Sequence, residues 1–541
     1  MSAIKTWLMN INSLGGTMTK FIKNLIVVAL LSGLTFACGG TSDDQSPAQN
    51  TSNNESEAIE TDATTSEESV TEEQQEPSDA ERLEPQPSGQ DETTDESVVE
   101  ERIASDIGIT EDTITIAVII ADLKGLRDIG FPLPDGLTNE ALSGRIGAYL
   151  DDWNAAGGIN GRTFEMVEIT WNPLDTSTME NACIEATLDN EVFLVINASG
   201  FNPAFLPCLT EDNDTTVLLG DKAPQYLLDA APNRLFGFFP PGEVAAVQAG
   251  RLFLDETDIP TGSKLGILEP NNPGVQAASA SLRDLLEDNG YQTVTVTIDN
   301  TSGDNAAANA QAAASVAQFN AENVSEVFVL LSFLVTDAFW GEVEFLDVSW
   351  NRTIVDVGPG MCSQFSASRT NPAAEGSTCV TSTGAYSLPE GGLRDDNTFE
   401  AQCRDEWLDH FPVFEGKSDR GTPSGEVNLE TADGDLLSSD FSFADCNIVY
   451  ALKHAFDNAG VNPTRDSFAA AMKTYKGPAA QMSNGEGAFG PDKNYFATQM
   501  WKMEFRIVSS DTKRSSDGLF NGCPAPTNCW IPVSGSWLRI E

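Results

Sequence analysis

Between residues 113 and 357 the chain alternates between two patterns. Nearly unbroken apolar runs occupy 114–120, 165–170, 192–197, 216–219, 264–268, 293–298, 327–331 and 353–357. Each has the length and the Val/Ile/Leu content of a strand buried on both faces. Between them, 140–156, 244–256, 276–289, 306–320 and 337–345 carry helical patterns. Strand, helix, strand in repetition predicts an α/β fold with a doubly wound, mostly parallel sheet, and the two batches of the pattern predict two such sheets.

The strand ends carry the candidate chemistry. Residues 195–197 run into Ala198-Ser199-Gly200-Phe201-Asn202-Pro203, and 266–268 run into Glu269-Pro270-Asn271-Asn272-Pro273. Each places Asn, a favoured N-cap, before Pro, a favoured first helical residue. The 327–331 run leads to Thr336-Asp337, a third candidate cap. In open α/β sheets ligands bind at the carboxyl ends of strands, where helix N-termini offer unpaired N–H groups.

The region before residue 113 is of another kind. Lys20 and Lys23 precede an apolar run over 25–37 that closes on small residues at Cys38, the layout of an export signal. At ~1.5 Å per residue the run is too short for a membrane-spanning helix. Met18 would start a signal of ordinary length. From 39 to 112 the sequence holds 23 acids against Arg82 and Arg102 and few large apolar residues. Such a segment cannot bury enough surface to offset its ordering entropy and is expected to be a disordered, self-repelling tether.

The whole chain has a formal charge of -52, which disfavours nucleic acid as a partner. Nine cysteines with only two histidines and no C-x-x-C pair argue against zinc and for disulfides formed in an oxidising compartment. No G-x-S-x-G elbow, phosphate-binding loop or paired-histidine motif supports an enzyme, and no cofactor is implied. His410 and His454 lie in helical patterns and read as structural residues. The acidic stretch 433–440 lacks EF-hand spacing and reads as a solvated loop.

The string from Ala148 to Arg162, with Gly157-Gly158 and Asn160-Gly161, resembles the helix, Gly-Gly turn and strand of type I periplasmic solute-binding proteins, in the branch that includes branched-chain amino acid receptors. Arg234 to Phe239 is similar to that family's first crossover between lobes, and 380–386 is placed like the second. Ala444 to Gly460 resembles the helix of the returning segment, and Gly487 to Asn494 the late turn. Leu34 to Gly39 resembles a bacterial lipoprotein signal, although Thr35 stands where that pattern usually has Leu.

The resemblance implies two Rossmann-like lobes joined by crossover hinge strands. Residues 1–37 would be the signal peptide, 38–112 the lipidated Cys38 and tether, 113–238 and 381–490 the two parts of lobe one, and 239–380 and 491–541 those of lobe two. It implies an extracytoplasmic protein, lipid-anchored to the membrane in the periplasm or at the cell surface, delivering a small polar solute to the permease of an ABC importer. A sensory receptor or a surface-interaction lipoprotein on the same fold is the alternative.

Ser199, Gly200 and Phe201 match the loop that grips a ligand's acidic group, with Asp221 and Lys222 after the next strand. Asn271 and Asn272 stand where many members have an aromatic residue. The Gly358-Pro359-Gly360-Met361 loop lacks the glutamate of amino acid binders, a role Asp337 or Asp221 could take, and Thr336 adjoins it. The disulfides expected are Cys183–Cys208, Cys362–Cys379, Cys403–Cys446 and Cys523–Cys529, each within a stretch assigned to one lobe.

Overall fold

The computed structural model divides the chain at Thr94 into two units, and all residues whose placement is described belong to the second, Asp95–Glu541. They are 101–128, 139–172, 175, 177–197, 203–299, 305–331, 335–358, 361–362, 370–382, 399, 402–403, 406, 428–430, 436–438, 442–479, 486–508, 519–520, 523–524 and 527–540. The export signal, Cys38, most of the acidic stretch, and Ser199, Gly200 and Phe201 therefore lie outside them.

The first part builds β1 (Thr113–Ala121), α1 (Leu123–Asp128), α2 (Asn139–Ala155), β2 (Thr163–Trp171), α3 (Ser177–Ile184), β3 (Leu194–Asn197), β4 (Thr216–Leu219), α4 (Gln225–Ala230) and β5 (Leu235–Gly237). These strands form a parallel sheet in the order β2-β1-β3-β4-β5. β1 sits inside the sheet and is buried from Ile116 to Ala121, which is why it reads as continuous apolar sequence rather than as an alternation. α2 ends where Gly157 and Gly158 take φ of 99° and 75°, with the Gly158 N–H bonded to the Trp153 carbonyl at 2.7 Å. Asn160 and Gly161 then turn the chain with φ of 52° and 76°, closing an Ile159–Arg162 bridge that launches β2.

The chain continues with α5 (Gly242–Glu256), β6 (Lys264–Pro270), α6 (Pro273–Asp288), β7 (Gln292–Ile298), α7 (Asn305–Glu322), β8 (Glu326–Val329), α8 (Asp337–Phe345), β9 (Asn351–Val355) and β10 (Thr378–Thr381). Two small hairpins, β11 (Asn428–Glu430) with β12 (Leu436–Ser438) and β13 (Lys476–Pro478) with β14 (Glu486–Ala488), flank α9 (Ser442–Asn458) and α10 (Arg465–Met472). The last strands are β15 (Gln499–Val508), the short pair β16 (Leu519–Phe520) and β17 (Cys523–Pro524), and β18 (Thr527–Arg539).

Among the described residues the second sheet runs β18-β15-β10-β9-β8-β6-β7. Its centre is parallel, and β15 joins β10 antiparallel and pairs with β18. α9 packs on α2 and α10, returning the chain to lobe one. The α/β fold of two doubly wound sheets expected from the sequence is the one observed.

Disulfides join Cys183 to Cys208, Cys362 to Cys379 and Cys403 to Cys446, as expected. The side chains of Cys523 and Cys529 lie outside the described residues. The structure corrects the extent of the acidic tether. Residues 101–112, expected to be disordered, pack on lobe one. Ile109 is buried, Asp106 accepts from the Arg465 backbone N–H at 2.7 Å, and the fully buried Arg162 donates to the carbonyls of Thr110 and Ile103 at 2.6 and 2.8 Å. The Arg162 guanidinium thus satisfies two backbone carbonyls of a segment whose own composition gives it little apolar surface to bury, and Asp106 ties the same segment to the start of α10.

Candidate functional site

The carboxyl ends of β4 and β9 meet. Lys222, just past β4, reaches across to Asp356, just past β9, with Nζ 2.6 Å from Oδ2. The same ammonium donates to the carbonyls of Asp356 at 2.6 Å and Gly358 at 3.2 Å. Both side chains are buried, at 3% and 0% exposure, so this bond lies out of water and ties one sheet to the other. The Thr381 hydroxyl also donates to Asp356 Oδ2, while Asp356 Oδ1 has no partner among the described residues.

The rest of that loop docks on lobe two as well. The Gln225 N–H, in the first turn of α4, bonds to both carboxylate oxygens of Glu243 in α5 at 3.1 Å. A Cβ added at Gly274, in the first turn of α6, would lie 2.8 Å from the Pro224 ring, so the two lobes touch there. Burial pushes the Glu243 carboxyl above its ordinary range. Asp221 accepts from the Lys222 N–H at 2.6 Å, and burial pushes its carboxyl up to about 6 despite that bond and the Lys222 charge.

The lobe-two candidates divide. Asn272 is the N-cap of α6, its side chain accepting from Gly274 N–H at 3.0 Å and Val275 N–H at 3.2 Å. It lies two residues before the Gly274–Pro224 contact between the lobes. Asn271 is exposed and pairs its backbone N–H with Ile298. Thr336 precedes α8 but its side chain makes no capping bond. Its backbone is already helical, at φ -98° and ψ -7°, so the hydroxyl is not aimed at the next N–H groups. It is buried, sharing a cavity of about 10 Å³ with Trp340, Met361 and Thr370, room for about one water. Asp337 is exposed and accepts from Asn371 at 3.0 Å.

The structure thus places Asp221 and Lys222 at the lobe junction, with Asn272 two residues before the Gly274–Pro224 contact. Thr336 and Asp337 pack within lobe two. Sequence reasoning missed Asp356 and Glu243. The available signals were an acid at the end of a strand pattern and an acid directly after Pro240-Pro241-Gly242. It also missed Asn197, fully buried at the carboxyl end of β3, with both amide atoms unpartnered among the described residues.

No protein-family profile and no curated protein matches the sequence. Solved structures do match in shape. A solute-binding protein of an ABC transporter from Rhodopseudomonas palustris BisB5, in complex with 3,4-dihydroxybenzoic acid, superposes with a TM-score of 0.53 at 11% identity, covering 79% of this chain and 98% of that one. A fatty acid ABC transporter substrate-binding protein from Thermomonospora curvata gives 0.52 at 12% identity, over 81% of this chain and 95% of its own. A leucine-binding protein from Thermotoga maritima gives 0.50 at 11% identity, over 78% and 99%. The fold is that of the type I periplasmic solute-binding proteins. At such identities the likeness is one of fold.

Proposed function

We propose that this protein is an extracytoplasmic solute-binding lipoprotein, anchored through Cys38, that delivers a small polar solute such as an amino acid, an amide or a related compound to an ABC importer without turning it over. The observation that carries the reading is the meeting of the strand ends of two doubly wound sheets at Lys222 and Asp356, on a fold shared with solute-binding proteins. Strand ends and helix N-termini from both lobes there can enclose a ligand that neither face could bury alone. Asn197 supports the same cleft, because a buried amide with no partner among the described residues suits a ligand that supplies one. Ser199, Gly200, Phe201, Asp221, Asn271, Asn272, Thr336 and Asp337 are the proposed lining, with Lys222 acting as the bond between the lobes.

The test is a thermal-shift screen of the purified chain against amino acids, amides, aromatic acids and fatty acids, followed by small-angle scattering with any hit. A cognate solute should raise the midpoint with concentration and reduce the radius of gyration. Asn197→Ala should then weaken binding about fivefold or more, by loss of one buried hydrogen bond. A hit that leaves both the scattering curve and the Asn197→Ala affinity unchanged sinks the cleft assignment.

A further inference from the structure

A groove of about 570 Å³ opens in lobe two at the amino ends of β8, β9 and β10, the end of the sheet away from the lobe junction. One wall is apolar, made by Leu252 and Phe253 of α5 with Ile259 of the loop beyond it. Its floor is a polar row across three strands. Thr353 of β9 donates to Glu326 Oε1 of β8 at 2.8 Å, and the hydroxyls of Thr353 and Thr378 of β10 lie 2.9 Å apart.

Glu326 is the unusual member of that row. It is only 5% exposed, yet among the described residues no cationic side chain lies within ion-pairing distance of it. The cations of the groove, Lys502 and Arg352, act on Glu326 from a distance and have nearer partners. Lys502 pairs with Glu256 at 2.5 Å, and Arg352 donates to the Ser377 hydroxyl and the Glu375 carbonyl, both at 3.3 Å. A buried carboxylate bonded to hydroxyl and amide donors, with Lys502 and Arg352 acting on it only from beyond ion-pairing distance, is incompletely compensated for the water it has lost. An ammonium ion would supply the missing charge, and the apolar wall would receive the carbon body attached to it. The volume lies in the range of small-molecule pockets.

We propose that this groove is a second binding site, separate from the lobe junction, for a small organic ammonium ion whose charge meets Glu326 and whose alkyl part lies on Leu252 and Phe253. It stands whether or not the junction binds a transported solute.

Calorimetric titration of the full chain with n-butylammonium chloride, and in parallel with sodium butyrate, tests the assignment. At about pH 8 the ammonium ion should bind saturably with one site per chain, and butyrate, of the same alkyl length and opposite charge, should not. Burial pushes the Glu326 carboxyl up to about 7, with Thr353, Asn351, Lys502 and Arg352 opposing that rise. Binding should therefore weaken about tenfold between about pH 8 and pH 6 as the carboxylate takes up a proton. Glu326→Gln keeps an acceptor for the Thr353 hydroxyl and removes the charge, and should weaken binding about tenfold or more. Should circular dichroism show that variant unfolded, Asp258→Lys sets a fixed ammonium at an exposed rim position and should weaken binding about threefold. No heat from the ammonium salt, equal binding of butyrate, or affinity unchanged in whichever variant folds overturns the proposal.

Discussion

At the residue scale, the contact between Lys222 and Asp356 matters most. Removing one partner of a buried ion pair leaves the other charge uncompensated, at a cost of about 3–5 kcal/mol. Lys222→Met is therefore expected to lower the urea midpoint by that much in free energy, with the slope unchanged. Replacing both residues, Lys222→Met with Asp356→Leu, should recover much of the loss. An equal loss in the single and double variants would show that the charge is not what Lys222 satisfies. Protonation adds a second expectation. Burial raises Glu326 from its ordinary 4.5 to about 7, so the folded chain holds this proton more tightly than the unfolded one. Its contribution is full below about 4.5 and is lost as pH rises through about 7. Asp221, raised to about 6, acts in the same direction. Urea unfolding across this range should show stability falling as pH rises, and Glu326→Gln should flatten the fall. A steeper fall in the variant would reverse the sign argued here. Little of this was legible in the sequence. Lys222 stood out as a residue after a strand, but its partner lies 134 positions away and no local pattern names it.

At the element scale, local rules carry further. Asn272-Pro273 is a cap followed by a first-turn proline, and the structure shows the cap made, with two N–H groups bonded to one side-chain oxygen. Asn272→Ala should destabilise the solute-free protein by about 1 kcal/mol and Asn272→Gly by only a few tenths, measured by urea unfolding. Equal losses in the two would place the Asn272 contribution somewhere other than the cap. The parallel strands were legible because burial on both faces makes them continuous apolar runs. β15 was not, although it alternates, with Trp501, Met503 and Phe505 buried. It joins β10 antiparallel, Trp501 standing opposite Thr381, 120 positions earlier, and alternation alone does not say which sheet a strand enters.

At the scale of the whole molecule, one apolar cluster runs from lobe one through Phe238 and Ala245 to Leu282, Phe328 and Val355 on the α5 side of lobe two. A second fills the other side of that sheet around Trp340, Trp501 and Trp530. The segment 101–112 belongs to this body. A chain beginning at Thr113 loses the Ile109 packing and strands the buried guanidinium of Arg162 without two of its acceptors. It is expected to melt several degrees below a chain beginning at Glu101. Equal midpoints would return the segment to the tether.

The sequence by itself determined the alternation of strands and helices between 113 and 357, the left-handed glycine turns and the helix cap at Asn272, because each depends on residues a few positions apart. Tertiary structure decided which strand ends meet. It paired Lys222 with Asp356 across 134 positions and Arg145 with Asp445 across 300, and it drew an acidic segment onto lobe one through Arg162 and Arg465. Buried charges find their partners only once the apolar core has fixed the backbone around them, and the placement of a core is a property of the whole chain.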